Sequence, residues 1–452
     1  MREVVGVVEQ VEHSVEQEMI LSRVAGIDVA KASGMVCTRV PGSGPGRRVQ
    51  RVWAVSADSS SVLDLGRALA DAGIERVVME ATGVYWRPFF FLLEACGLEC
   101  WLVNARDVKN VPGRPKTDRL DAVWLAKLNE RGMLRASFIP PRPIRELRDL
   151  TRTRKTMVEE RTRHKQRVEK ILEDAQVKLG SVASDVFGLS GRAMLDALVA
   201  GVRDPKVLAA LARGSLLKKK TALEAAFVGR FTDHHAFLVR TELASIDHLT
   251  AQIDALTARI ETALAAAHTP DPPEDEGEGP GAGGRENLGT LAERLTEIPG
   301  IGPYGAQVIL AEIGPDMTVF PTPGHLASWA KLTPRTIQSG AKNTHGPTGK
   351  GNPWLRGALG EAAMSAARSN TFLGARYRRI ARRRGHIKAL VAVARSILTA
   401  IWHLIANPGT HYTDLGPDHY QTHANRARKT RNLIKQLEAL GHTVNLTPTD
   451  AG

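Results

Sequence analysis

Cysteine, aromatic residues and long apolar runs are all scarce in this sequence. Three cysteines among 452 residues are too few to stabilise such a chain through disulfides, and they lack the spacing of a zinc site. So few cysteines are typical of a protein from a reducing cytoplasm. No uninterrupted apolar run reaches the roughly 18 residues of a membrane span, because Arg395 and His403 break the best candidate, 389–406. The first twenty residues lack the apolar core of a signal peptide, so we expect a cytoplasmic protein with no membrane partner.

What the sequence has in excess is positive charge. Its net charge is +13, and 43% of its residues are hydrophobic, enough for a sizeable core that excludes wholesale disorder. A strongly basic chain favours a polyanionic partner, most simply nucleic acid, because each neutralised phosphate releases counterions. A basic composition alone does not indicate an enzyme, and the length corresponds to about three domains of roughly 150 residues.

Strand and helix patterns alternate in the first third of the chain. Apolar runs predict strands at 23–29, 34–40, 49–55, 75–80 and 98–104, and amphipathic patterns predict helices at 61–72, 85–96 and 117–131. The order β-β-β-α-β-α-β-α predicts an α/β domain built on a mixed sheet with helices on its faces. The preceding residues, 1–22, are expected to form a polar leader with helical character.

Two long, charged helical patterns follow, at about 144–178 and 242–267, with apolar residues spaced three and four apart. They predict an antiparallel helical hairpin or an oligomerising coiled coil, and a plain pair of bundle helices fits the periodicity equally well. The stretch between them, 180–240, is expected to be a helical insertion. This part of the chain is therefore predicted to be all-α.

An acidic linker separates these helices from a second compact region. Of the twenty residues in 268–287, nine are proline or glycine and six are acidic, which predicts a disordered segment. A basic helix is expected at 424–440. The predicted regions are a leader at 1–22, a mixed-sheet domain at 23–141, charged helices at 142–267, the linker at 268–287, a mainly helical C-terminal domain at 288–406 and a loosely packed tail at 407–452.

Four carboxylates carry the strongest chemical signal. Asp28 and Glu80 each end a predicted strand, while Asp118 and Asp121 lie three apart at a helix start and project from one face. Because the carboxyl ends of strands line the ligand crevice of an open sheet, these groups are expected to meet there. Clustered carboxylates repel one another unless a cation lies between them, and Mg²⁺ prefers such oxygen ligands. Taken singly, each also fits an ordinary helix cap or solvent-facing strand end.

Two such ions about 4 Å apart would hold both the attacking and the leaving oxygen of a phosphoryl transfer.

A second signal, residues 298–314, resembles a helix-hairpin-helix. Gly300 and Gly302 would let the backbone approach a phosphate, and the next helix would offer unpaired N–H groups. The alternative for this segment is a simple turn between two helices.

A polar, glycine-rich loop at 333–359 is the third signal. Its serine, Ser339, is a candidate nucleophile for a phosphodiester, although on these residues alone an ordinary loop serine is the more frequent case. The cations expected to contact phosphate in this loop are Arg335, Lys342, Lys350 and Arg356. A basic run without acids follows at 376–388, in which Arg382, Arg383 and Arg384 are expected to contact nucleic-acid phosphates.

Together these motifs resemble a known family. GIDVAK, MEATGVYW and KTDRLDA are similar to the acidic motifs of the DEDD-type insertion-sequence transposases, relatives of the pilin-gene invertase, and 299–356 resembles their C-terminal transposase domain. The resemblance implies an RNase H-like (RuvC-like) domain whose metal-binding tetrad is Asp28, Glu80, Asp118 and Asp121. It also implies that Ser339 is a catalytic serine forming a covalent 5′-phosphoserine link to DNA.

The same resemblance implies a structured bridge RNA that pairs with target and donor DNA, and a homo-oligomer between dimer and tetramer. The expected activity is therefore Mg²⁺-dependent transposition of an insertion element, by a nucleoid-associated bacterial protein. Two alternatives stay open. A RuvC-like, structure-specific nuclease would use the tetrad to activate water and would not need Ser339, and a non-catalytic nucleic-acid-binding protein would carry a decayed site.

Overall fold

The computed structural model describes residues 8–13, 21–44, 46–81, 83–104, 118–269, 286–334, 336–339, 342–346, 348–419 and 426–446. The chain divides into two compact units, Met1–Ile139 and Pro140–Gly452. The first unit combines a sheet with helices, and the second is almost wholly helical.

A mixed sheet forms the centre of the first unit. Its strands are β1 (Val8–His13), β2 (Val24–Val29), β3 (Ser33–Pro41), β4 (Arg47–Ser56), β5 (Arg76–Glu80) and β6 (Cys100–Val103). The strand order is β1-β4-β3-β2-β5-β6. Neighbours are antiparallel from β1 to β2 and parallel from β2 to β6. The mixed sheet predicted from the sequence is therefore present.

The predicted leader differs from the structure in one respect. Residues Val8–His13 form β1, which pairs antiparallel with β4 so that Val8 lies opposite Val52. Without β1, the outer edge of β4 would present a row of unpaired backbone groups, which an added strand satisfies. The helical character expected for this segment was wrong over these six residues, because the pairing joins positions more than thirty residues apart.

Helices cover both faces of the sheet. They are α1 (Ser59–Asp71), α2 (Trp86–Ala95) and α3 (Asp118–Glu130). Alternate residues of β2, among them Ala25 and Ile27, pack against the apolar faces of α1 and α2 in one core. On the other face, Val78 of β5 packs against Leu125 and Leu128 of α3. The predicted first residue of this helix, 117, lies outside the described range.

Two long helices begin the second unit, α4 (Arg142–Asp174) and α9 (Asp233–Ala266). Arg161 of α4 contacts Thr250, and the earlier Arg154 contacts the later Thr257, so the two helices run antiparallel. This is the helical hairpin among the arrangements that the sequence allowed. Helix α9 begins nine residues before the predicted start at 242, at a capping box formed by Thr232 and His235.

Short helices fill the stretch between the two long ones. They are α5 (Leu179–Val182), α6 (Leu189–Val199), α7 (Pro205–Ala210) and α8 (Lys220–Ala226), with a 3₁₀ helix at Gly214–Lys219. Their apolar residues share one core with the adjoining ends of α4 and α9. The helical insertion expected at 180–240 is thus a small helical cap on that end of the hairpin.

The predicted linker is ordered at its two ends. His268 bridges Asn287, and the backbone N–H of Thr269 donates to the carbonyl of Glu286 at 2.9 Å. The prediction of disorder was therefore wrong for these four residues, because the two ends of the segment pair with each other in antiparallel fashion. The rest of the predicted linker, 270–285, lies outside the described residues.

The remaining helices form the C-terminal part of the unit. They are α10 (Leu288–Thr296), α11 (Pro303–Ile313), α12 (Pro323–Trp329), α13 (Pro353–Arg368), α14 (Phe372–Arg384), α15 (His386–Ala406) and α16 (Arg426–Ala439). The tail expected to pack loosely is held near its start, where Tyr412 N–H donates to Glu297 at 2.8 Å and Arg294 donates to the Thr410 carbonyl at 2.6 Å. That expectation was wrong for 410–412, since Arg294 of α10 and Glu297, the residue that ends this helix, hold the segment.

Helix α15 is the one helix in the described part of the chain that is long and apolar enough to cross a membrane by length and composition. It packs against α12, α13 and α14, and its buried residues recur three or four apart. Those residues are Ala389, Val393, Ala394, Ile397, Leu398, Ile401, Leu404 and Ile405. Burial of this face in the core accounts for the apolar composition, while Arg395 lies exposed on the other side.

Candidate active site

Two of the candidate carboxylates end adjacent parallel strands. β2 and β5 pair so that Ile27 lies opposite Met79, which places the following residues, Asp28 and Glu80, at neighbouring positions. Glu80 is buried and Asp28 is half-buried. The structure therefore brings these two residues together at the carboxyl ends of the parallel strands, as the sequence predicted.

Both carboxylates belong to the face of the sheet that α3 covers. A Cβ on Gly26 would lie 2.6 Å from the backbone nitrogen of Ala126, so the side-chain direction at Gly26 is toward α3. Val78, which pairs with Gly26, also packs on α3. Because side chains alternate along a strand, the residues two positions later, Asp28 and Glu80, point to the same face.

Helix α3 runs antiparallel to these strands and begins at their carboxyl ends. Near its end, Asn129 donates to the carbonyl of Ala25 at 3.4 Å and to that of Arg76 at 3.1 Å, close to the starts of β2 and β5. Eight helical residues back from Asn129, about 12 Å at 1.5 Å per residue, is Asp121. Three strand residues on from Ala25, about 10 Å, is Asp28. Asp121 therefore lies level with the two strand carboxylates.

Carboxylate oxygens, the donors at this edge, are of the type that a hard divalent cation prefers. Asp28 and Glu80 offer carboxylate oxygens on one face, α3 brings Asp121 level with them, and Asp118 begins that helix one turn earlier. The side chain of Asp118 lies outside the described part. Among the side chains that are described, no three Asp, Glu, His or Cys groups form a set arranged to hold a metal ion.

A buried charge cluster fixes the opposite end of α3. Glu130 accepts from Arg39 Nε at 2.9 Å and pairs with Arg48, and all three side chains are almost fully buried. Burial lowers the pKa of the Arg48 guanidinium, an effect that Glu130 opposes. This cluster was not predicted from the sequence. The sequence contained one signal for it. Arg39 and Arg48 lie in apolar strands, at positions where the alternation of side chains along a strand points them into the core.

The candidate serine lies on a β-hairpin in the second unit. β7 (Thr336–Ser339) pairs antiparallel with β8 (Lys342–His345), so that Ser339 faces Lys342 at the closed end. The sequence predicted an irregular loop over 333–359, which was wrong for this hairpin and for the start of α13 at Pro353. Asn352 caps that helix, its Oδ1 accepting from Trp354 N–H at 3.0 Å. Arg335 lies outside the described residues, as do the side chains of the hairpin strands.

The predicted phosphate contacts whose side chains are described are all exposed. Arg382, Arg383 and Arg384 are all exposed in the last turn of α14, and Lys350 is exposed beside the hairpin. Arg356 is exposed on α13 and donates to the Gly349 carbonyl at 3.3 Å.

The two glycines of the helix-hairpin-helix segment differ from each other. Gly302 caps α11 with open space where a Cβ would lie, as a phosphate-binding helix start requires. Gly300 has φ +97, and a Cβ there would lie 2.2 Å from the Ala362 carbonyl of α13. Helix packing therefore explains the glycine at 300, and a phosphate contact by its backbone stays a prediction.

Comparisons with known proteins match both units. A family model described as a transposase of the DEDD type of IS110 matches residues 25–176, which contain the four carboxylates. A second, described as the transposase IS116/IS110/IS902 family, matches residues 292–378, which contain Ser339 and both glycines.

Two curated relatives are similar over shorter stretches. The uncharacterized 43.6 kDa protein of insertion element IS110 from Streptomyces coelicolor is 35% identical over 130 residues, 28% of this chain and 31% of that protein. The protein y4qE of Sinorhizobium fredii, which carries a transposase name, is 31% identical over 156 residues, 32% of this chain and 36% of that protein. The chain thus matches about a third of the length of these relatives. Because the two family models together cover more than half of the sequence and describe one family, the chain belongs to the IS110 family of insertion-sequence transposases.

Proposed function

We propose that this protein is a Mg²⁺-dependent DNA recombinase that moves an insertion element through a covalent phosphoserine intermediate. The observation that carries the proposal is the placement of Asp28 and Glu80 on one face at the carboxyl ends of β2 and β5, with Asp121 of α3 level with them. With Asp118 they would hold divalent metal. When bound, the metal would neutralise charge on the scissile phosphate and orient it.

We assign the covalent step to Ser339. Its hydroxyl oxygen would bond to phosphorus as the bond from phosphorus to the 3′ oxygen breaks. The serine proton leaves to a base, and the departing 3′ oxygen takes up a proton to become a hydroxyl. The 5′ phosphate then stays on the protein until the 3′ hydroxyl of another strand displaces the serine. Energy of the phosphodiester is retained in the link, so strands can be exchanged without a further energy source.

The proposed partners of the protein are nucleic acids. The net charge of +13 and the exposed arginines at the end of α14 suit phosphate backbones of donor and target DNA and of a structured guide RNA. Base pairing by that RNA would then select the DNA sequence, as in other RNA-guided systems. We place the protein in the bacterial cytoplasm at the nucleoid, as a homo-oligomer between dimer and tetramer.

A covalent-trapping assay tests the phosphoserine step. The protein would be co-expressed with the DNA flanking its gene, so that a guide RNA encoded there is present, and then mixed with labelled junction and target DNA plus Mg²⁺. A slowly migrating protein–DNA adduct is expected on a denaturing gel. It should be absent in Ser339→Ala and retained in Ser328→Ala, a matched change at an exposed serine of α12.

The products separate the alternatives. Cleaved DNA without an adduct would contradict the phosphoserine step and favour the nuclease that activates water. Neither cleavage nor adduct, in a preparation whose co-purified RNA has been sequenced, would favour the non-catalytic binding protein.

Replacing Arg382, Arg383 and Arg384 by Ala should weaken nucleic-acid binding and flatten its salt dependence. If each side chain contacts one phosphate, the slope of log affinity against log salt should fall by roughly 0.9 per contact, about 2.7 in all. The control replaces three exposed lysines, Lys218 to Lys220, with the same change in net charge. An equal fall in the control would show that overall charge, rather than contact at α14, sets the slope.

A further inference from the structure

A fully buried carboxylate lies at the end of α11. Glu312 has no exposed surface, and Arg152 of α4 donates to both of its oxygens, Nε to Oε1 at 2.7 Å and Nη2 to Oε2 at 2.8 Å. Arg148, one turn earlier, donates Nη2 to the Glu312 backbone carbonyl at 2.7 Å. A buried carboxylate is tolerated when donors surround it in this way. These contacts fix the end of α11 to the long helix α4.

Asn352 joins this cluster to the start of α13. Its Nδ2 donates to Glu312 Oε2 at 2.5 Å, while its Oδ1 accepts from the N–H groups of Trp354 and Leu355 at 3.0 and 3.2 Å. The two ends of one amide thus satisfy the buried carboxylate and cap a helix at once. A carboxylate at 352 could perform only the second task, since it has no donor.

The chain reaches Asn352 directly from the serine hairpin. A Cβ on Gly351 would lie 2.4 Å from the Ala330 carbonyl, and one on Gly349 would lie 3.3 Å from the side chain of Lys331. The segment that leaves the hairpin is therefore packed against the segment that enters it. Asn352 comes immediately after this contact, so its bond to Glu312 ties the segment that leaves the hairpin to α4.

A role in stability alone accounts poorly for this arrangement. Buried ion pairs are often replaced by apolar residues with no loss of stability, because desolvation of the charges offsets their attraction. What the polar cluster supplies and apolar packing does not is a directed contact, from one carboxylate oxygen to one amide. That contact specifies a single position for the segment that leaves the hairpin.

We propose that Glu312 is a positioning residue for the serine hairpin: through Asn352 it fixes the segment that leaves the hairpin against α4 and so sets the position of the strand that carries Ser339. This inference rests on the proposed phosphoserine chemistry for its effect on rate. Its structural part, the order of β7 and β8, stands without that chemistry.

The test exchanges the two partners. Asn352→Asp keeps the helix cap but places a second carboxylate against Glu312. We expect the rate of adduct formation to fall about tenfold or more, as misplaced reacting groups do. Backbone hydrogen exchange of β7 and β8 should become faster, with no change in α14. Adding Glu312→Gln restores one carboxylate and one amide, and should recover both the rate and the protection.

The matched control is Asn287→Asp. Asn287 caps α10 by accepting from the Gly289 N–H at 2.7 Å and donates its Nδ2 to the Ala265 carbonyl, so the same substitution keeps a cap and removes an amide donor away from the hairpin. It should leave adduct rate and hairpin exchange unchanged.

Wild-type rate and exchange in Asn352→Asp would overturn the proposal. So would a loss that Glu312→Gln does not recover in a double variant whose melting temperature matches the wild type. If the wild type itself forms no adduct, the phosphoserine function fails, and the exchange measurements still decide whether Glu312 orders the hairpin.

Discussion

Replacing Asp28 by Asn is expected to lower adduct formation and strand transfer by about a thousandfold while leaving nucleic-acid binding intact. Removing a group that stabilises charge in a phosphoryl-transfer transition state typically costs about 10² to 10³ in rate, and loss of a metal ligand compounds that. Glu80→Gln should behave alike, since Asp28 and Glu80 occupy neighbouring strand ends. The measurements are adduct yield over time and binding to labelled RNA and DNA.

The matched control is Asp64→Asn on α1, an exposed carboxylate in the same unit that pairs with Arg67. It should leave adduct formation unchanged. A normal rate in either Asp28→Asn or Glu80→Gln would contradict the metal site.

Binding of Mg²⁺ to these carboxylates can also be measured without catalysis, through its effect on thermal stability. Carboxylates on one edge repel one another, so Mg²⁺ should raise the melting temperature of the wild type. A ligand at a hundred times its Kd stabilises the folded state by about 2.7 kcal/mol. In Asp28→Asn this increment should shrink, while stability without Mg²⁺ should be equal or higher because one repulsive charge is gone.

The sequence predicted the sheet well because its signals are local. Short apolar runs bounded by turns placed five strands within three residues of their bounds, and the amphipathic pattern before Ala72 placed α1. The edge strand β1 was missed because its stability comes from pairing with β4, which no local pattern records. The buried trio of Arg39, Arg48 and Glu130 was missed because charged residues normally indicate a solvent-facing position.

For the candidate site, the sequence predicted placement better than local conformation. Asp28 and Glu80 follow apolar strands, so their shared edge was predictable from topology. The serine hairpin was predicted as a loop because its strands, TIQS and KNTH, lack apolar alternation and are flanked by glycine. One available signal went unused there: Asn352 followed by Pro353 is a common helix start, an N-cap residue before a proline at the first helical position.

Glu312 illustrates what no local pattern can reveal. Within the apolar stretch of α11 it resembles a lone polar interruption, and its partners Arg148 and Asn352 lie far away in sequence. Only the fold brings two arginines of α4 and the cap of α13 to one carboxylate.

Replacing Gly26 by Ala should have the second large effect, because it acts on fold and site together. The new Cβ would lie 2.6 Å from Ala126 N and 2.7 Å from Ala122 O, both backbone atoms of α3 that cannot rotate away. The helix must move from the sheet, which costs about 1 to 3 kcal/mol of unfolding free energy. Because α3 carries Asp121, adduct formation should fall further than the loss of folded protein explains.

The same substitution at Gly360 provides the control. Gly360 lies within α13 with nothing near its missing Cβ, so Gly360→Ala should raise stability by up to about 1 kcal/mol through helix propensity. Calorimetry gives the stability of each variant, and the adduct rate is measured below the unfolding transition. Together they distinguish the effects of the two substitutions. Wild-type stability and rate in Gly26→Ala would mean that α3 tolerates displacement from β2, and that its contact with the strand does not set the position of the acidic edge.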